Sequence, residues 1–127
     1  GFDLRRLQML LAVLERRAGF QLGTQDVFIN VVSGLKIAEP AADLGVAIAI
    51  ISSLKNRVID AGALIIGEVG LGGEVRNVGQ IRRRVEEAKK LGFNRIILPY
   101  GEHKGLTDLG LSIVPVRSLS AAVDELF

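Results

Sequence analysis

Cysteine and tryptophan are absent from the 127 residues, and histidine, methionine and tyrosine occur once each. Without cysteine there is no disulfide framework, no thiolate metal site and no cysteine nucleophile, which fits a reducing compartment. The single histidine, His103 within Pro99–Gly105, cannot build a zinc site by itself and reads as a solvated loop residue. Three prolines and a hydrophobic fraction of 49% exclude a disordered chain. No apolar run approaches the about 20 residues of a membrane helix, and the longest, Val46–Ile51, is a core segment. Asp3, Arg5 and Arg6 precede an amphipathic pattern, so the start lacks a signal-peptide layout. A soluble, intracellular protein with no membrane partner is expected. Opening almost directly on a helix, the chain reads as one domain of a longer protein. An excess of one charge is also missing. Sixteen basic against 14 acidic residues leave +2, which imposes no global field favouring nucleic acid.

Nucleotide-binding loops are missing as well. Gly67-Glu-Val-Gly-Leu-Gly-Gly73 fits neither G-x-x-x-x-G-K-[ST] nor G-x-G-x-x-G, and a strand-like stretch follows it where a helix N-terminus is required. It reads as a glycine hairpin. No Walker-type motif occurs elsewhere, so the chain is no ATPase by itself.

What is present alternates between two periods. Leu4, Leu7, Leu10, Leu11 and Leu14 predict an amphipathic helix ending at Ala18-Gly19. Gln25–Val32 alternates apolar residues and reads as a strand, continued at Leu35–Ile37. Pro40 opens a second helix, Ala41–Leu54, apolar all round and therefore buried. Strands are predicted at Ala63–Ile66 and, returning across the glycines, at Glu74–Val78. A helix at Gln80–Leu91 stops at Gly92, strands follow at Arg95–Leu98 and Ser112–Val116, and Ser118 caps a last helix, Leu119–Leu126. The class is α/β or α+β, a mixed sheet covered by helices.

Two features could carry chemistry. Asp43 interrupts the apolar helix in its first turn, where its charge suits the helix dipole, with Glu39 at the same corner; acid–base work there would need a cleft that joins them. The second feature is basic. Glu74–Lys90 holds six basic residues (Arg76, Arg82, Arg83, Arg84, Lys89, Lys90) against three acidic ones. Arg82–Glu86, Arg83–Glu87 and Glu86–Lys90 are spaced as i,i+4 pairs on a solvated face. Arg84 differs, because it is three residues from Ile81 and four from Ala88 and leans toward the apolar side. Arg5, Arg6, Arg16 and Arg17 form a second basic group. Such residues suit phosphate contacts along DNA, sequence-independent and salt-sensitive. With five phenylalanines, one tyrosine and no tryptophan, no aromatic platform is expected, so binding would be chiefly electrostatic.

Glu39-Pro-Ala-Ala-Asp43 opens an apolar helix; Ile66-Gly-Glu-Val-Gly-Leu-Gly-Gly-Glu-Val-Arg76 follows, then an Arg/Lys-rich helix ending Ala88-Lys-Lys-Leu-Gly-Phe93, then Ile96-Ile-Leu-Pro99. In this order the segments resemble a Lon-type proteolytic domain, in the form found at the C-terminus of the RadA (Sms) family of bacterial DNA repair and recombination proteins. The resemblance runs from about Leu4 through Phe127 and includes Leu10–Gly19 and Gln25–Val32. In Lon-type domains the first segment reads G-P-S-A-G, its serine being the nucleophile, and a lysine of the third segment is the base. Carried over, the serine position falls on Ala41 and, counting back from Gly92, the lysine position falls on Arg84. Alanine has no hydroxyl, and a guanidinium cannot become the neutral base of a Ser–Lys dyad.

The resemblance further implies a fold like domain 2 of ribosomal protein S5, no catalytic activity and no cofactor in this chain. It implies a zinc finger and a RecA-like hexameric ATPase upstream, holding zinc, ATP and magnesium. Single-stranded or branched DNA, a homo-hexameric ring and RecA recombinase are the implied partners, in the bacterial cytoplasm. The DNA-contact candidates are Arg5, Arg6, Arg76, Arg82, Arg83 and Arg84. Two alternatives stay open: a protein-interaction domain without DNA contact, and a peptidase with a relocated nucleophile, Ser33 or Thr24, with Lys36 as base.

Overall fold

The computed structural model describes residues 4–17, 39–60, 62–101, 103, 105–106 and 109–127. The elements in chain order are α1 (Leu4–Arg17), a single 3-10 turn (Pro40–Ala42) leading into α2 (Asp43–Lys55), β1 (Ala63–Ile65), β2 (Glu68–Val69), β3 (Val75–Arg76), α3 (Ile81–Lys90), β4 (Arg95–Pro99), β5 (Ser112–Val116) and α4 (Leu119–Leu126). This is a mixed α/β architecture, as expected. The strand expected over 25–32, its continuation at 35–37, the stop at Ala18-Gly19, and Thr24, Ser33 and Lys36 lie outside the described residues.

β1, β4 and β5 form a parallel sheet in that spatial order, with Leu64 beside Ile96 and Ile96 beside Ile113. Parallel strands covered on both faces need apolar residues at every position, and the Ile96-Ile97-Leu98 run in the central strand supplies them. Alternation then divides the side chains between two clusters. Ile97 and Val116 join Leu10, Leu14, Ile48, Ile51 and Leu119, so α1, α2 and α4 cover one face. Ile96 and Leu98 join Val85, Ala41 and Leu106, so α3 and the loop after β4 cover the other. Pro115, which offers no N–H, is accommodated in β5, at the edge of this sheet as described.

Local signals set most boundaries. The Ser118 hydroxyl accepts the Ala121 N–H at 3.0 Å and caps α4. Gly92, at φ +93°, ends α3: its N–H reaches the Lys89 carbonyl at 3.1 Å and that of Phe93 the Ala88 carbonyl at 3.0 Å.

Two expectations are corrected. The second helix does not begin as an α-helix at Ala41, because the Pro40–Ala42 turn stays 3-10 and α2 starts at Asp43. The return strand after the glycines pairs with Glu68–Val69 rather than with 63–66, and only Val75–Arg76 of it is strand. The physical reason is strand pairing: Ala63–Ile65 is taken in parallel by β4, and the Ile66 N–H continues that ladder to the Ile97 carbonyl at 2.9 Å. Among the described residues no helix is long and apolar enough to cross a membrane.

Candidate functional site

The Pro40–Ala42 turn is bolted to the end of β1. The Gly67 N–H donates to the Ala41 carbonyl at 2.9 Å, and the Leu44 N–H to the Gly67 carbonyl at 3.0 Å. Only glycine allows this approach, since a Cβ at position 67 would come within 2.8 Å of Val75 and 3.3 Å of Leu44. Across from the turn, α3 lies on the sheet through Val85 and Ala88, both fully buried. Between them opens a cavity of about 430 Å³ lined by Glu39, Ala41, Leu64, Ile66, Arg84 and Ala88 among others. Ala41 and Arg84, the positions onto which the resemblance carries a Lon-type nucleophile and base, therefore line one cavity.

Arg84 is committed at its mouth. Its Nη1 donates to Glu39 Oε1 at 2.8 Å, its Nη2 to Oε2 at 3.3 Å, and its Nε to the Gly79 carbonyl at 2.9 Å. This fork-on-fork geometry fixes the guanidinium in place. The hydrogen bond from Arg84 holds the Glu39 carboxyl below its ordinary range, and the same bond raises Arg84 further above its own. The cavity thus presents a methyl group, a permanent cation and an engaged carboxylate, and none of these pairs a nucleophile with a base.

Asp43 does not join that chemistry. It is fully buried. Its carboxylate accepts both the Nε and, at 2.6 Å, the Nη2 of Arg6, and Oδ2 also takes the Val69 N–H at 3.0 Å. Glu68 lies 3.5 Å from the same guanidinium. The hydrogen bond to Asp43 raises the Arg6 pKa above its ordinary value. The helix-dipole position was legible in the sequence, but the partner 37 residues away was not.

The basic candidates separate accordingly. Arg6 and Arg84 turn inward to carboxylates, while Arg5, Arg76, Arg82 and Arg83 are exposed, as are Lys89 and Lys90. Arg82 Nε pairs with Glu86 at 3.0 Å, and Arg76 stands 3.9 Å from Glu74. The two basic groups do not merge, because α1 and α3 pack against opposite faces of the sheet. His103 is half-buried, its Nε2 against the Pro99 carbonyl, where a solvated ring was expected.

Residues 5–102 match the family described as subunit ChlI of Mg-chelatase. The chain is 53% identical over 106 residues to the DNA repair protein RadA of Chlamydia pneumoniae, covering 84% of this chain and 23% of that protein. It is 47% identical over 127 residues to RadA of Pseudomonas aeruginosa, covering all of this chain and 28% of that protein. With RadA of Escherichia coli it shares 43% over 123 residues, which is 97% of this chain and 27% of that protein. The chain belongs to the ChlI family, in the form carried by RadA proteins. It spans about a quarter of the length of the curated relatives it matches. The resemblance first read from Glu39–Asp43, Ile66–Arg76 and Ala88–Pro99 is therefore shown at the level of the family.

Proposed function

We propose that this chain is a proteolytically inactive Lon-like domain that serves a RadA-type DNA repair protein of the bacterial cytoplasm in two ways. It scaffolds a homo-hexameric ring, and it contacts DNA phosphates without sequence preference. The observation that carries the inactive reading is the cavity shared by Ala41 and Arg84, where Glu39 neutralises the guanidinium. A lysine base there would have to lose its proton, and arginine does not. The exposed cations of α3 and β3 support the DNA reading. Exposed pairs such as Arg82–Glu86 contribute little, about 0–1 kcal/mol, so a phosphate competes for the guanidinium at small cost. Arg82 and Arg83 are the contacts this reading favours, with the exposed Arg76 of β3 as a further candidate, while Arg6 and Arg84 are held by carboxylates. Zinc, ATP and magnesium are left to other parts of such a protein, since this chain has no cysteine and no Walker-type loop. RecA recombinase remains a partner of the whole assembly on the strength of the resemblance alone.

Binding of fluorescent single-stranded DNA across a salt series tests this. Affinity should fall linearly on a logarithmic salt scale, and Arg82→Glu with Arg83→Glu should flatten the slope by about one unit per lost phosphate contact. Unchanged affinity in that variant would exclude this helix as the contact surface. Absence of binding at low salt would favour a second reading, a protein-interaction domain without DNA contact. The exposed Leu71 on the β2–β3 turn and Leu91 at the end of α3 favour it, and assembly insensitive to salt would mark it. For a peptidase with a relocated nucleophile the expected result is no serine-directed acylation and no peptide hydrolysis.

A further inference from the structure

The carboxyl ends of β4 and β5 carry an aromatic–cation pair that no motif marks. Tyr100 follows β4 directly and Arg117 follows β5 directly. The two strands are parallel and in register from Arg95 beside Ser112 to Pro99 beside Val116, so the next residues emerge side by side. The Arg117 guanidinium carbon lies 3.7 Å from the centre of the Tyr100 ring. Both backbones are braced. The Tyr100 N–H donates to the Val116 carbonyl at 2.8 Å, and the Arg117 carbonyl accepts the Val75 N–H at 2.9 Å. Gly101 packs against Asn77, whose Oδ1 would lie 3.3 Å from a Cβ there. From this fixed backbone the tyrosine stands 52% exposed. With the guanidinium over one face, the open surface belongs to the rest of the ring.

Arg76 follows Val75, the residue hydrogen-bonded to Arg117. Along the loop after Tyr100, the Arg82 guanidinium rests against Gly105, so close that a Cβ there would come within 2.5 Å of Nη1. An exposed ring with a cation fixed on one face, in a chain whose β3 and α3 carry further exposed arginines, suits an unpaired strand. Bases stack on aromatic and guanidinium planes while phosphates track the cations, and a duplex keeps its base faces covered. We propose that Tyr100, held by Arg117, is a stacking site for one unpaired base of single-stranded DNA. This rests on the phosphate-binding reading above and adds to it a preference for unpaired strands. Tyr100 and Arg117 are 17 positions apart, so composition alone suggests no aromatic platform, whereas the parallel register builds one.

The chain reports on this site itself, because Tyr100 is its one tyrosine and it has no tryptophan. A thymidine oligonucleotide and an abasic deoxyribose-phosphate oligomer of equal length, both end-labelled, are titrated at low salt. Label anisotropy follows binding and tyrosine emission follows stacking. Both oligomers should bind, only the thymidine oligomer should quench the emission, and Tyr100→Leu should weaken that oligomer about five- to tenfold while leaving the abasic one unchanged. Tyr100→Phe, which keeps a ring, should bind as the parent chain does. Binding of both with unchanged emission, and equal affinity in Tyr100→Leu, would overturn the stacking site and leave the phosphate-binding reading standing. Failure of both to bind would overturn the two together.

Discussion

Arg6 and Arg84 each set two nitrogens on a carboxylate, and the carboxylates, Asp43 and Glu39, stand at the two ends of one short turn. Asp43 is sealed from solvent and also holds the Val69 N–H, whereas the Glu39 side chain is 58% exposed at a cavity mouth. The chemistry is the same in both pairs, but the replacement available to each partner differs. Water can take the place of Arg84 at Glu39 and cannot reach Asp43. The inner pair is therefore a condition for folding α1 and α2 together, while the outer pair sets what stands at the mouth of the cavity.

The comparison breaks most severely at Asp43. Asp43→Ala takes from the Arg6 guanidinium its buried partner, leaving Glu68 at 3.5 Å, and orphans the Val69 N–H, and should cost about 3 kcal/mol in denaturant unfolding. Arg6→Leu combined with Asp43→Leu should lose less than that single change, since no unpaired charge remains and only the Val69 N–H, worth about 1–3 kcal/mol, goes unsatisfied. Gly67→Ala comes next. Its methyl must displace Val75 or Leu44 and loosen the turn that joins both pairs, at about 1–3 kcal/mol by the same measurement.

Glu39 supplies the small end of the scale. Glu39→Gln should change stability by under about 1 kcal/mol, because the pair is largely solvated. Its pH dependence has a definite sign. Arg84 depresses the Glu39 carboxyl in the folded state, so the contribution is fully present above the ordinary value of 4.5 and is lost as pH falls through the lower folded one. Thermal unfolding of Glu39→Gln and the parent chain should differ constantly above about pH 4.5 and converge below it.

Where a signal and its effect lie within one turn, the sequence was readable. The start of α4, the Ser118 cap and the Gly92 stop all depend on neighbours three or four residues away. The β2–β3 hairpin shows where that fails. The glycines announce a turn, yet which residues pair across it depends on β4 having already claimed Ala63–Ile65. The candidate site divides in the same way. That Ala41 and Arg84 lack the chemistry of a dyad was legible from their identities. That Arg84 is neutralised by a carboxylate 45 residues earlier was not.

By itself the sequence determined the α/β class, the apolar central helix and the family. Each follows from residue identity, local periodicity or the linear order of motifs. Only the tertiary structure decided which arginines are turned inward, that the two basic groups lie on opposite faces, and that Tyr100 meets Arg117. Those outcomes depend on burial and on strand register, which bring together residues that the chain keeps 17, 37 or 45 positions apart.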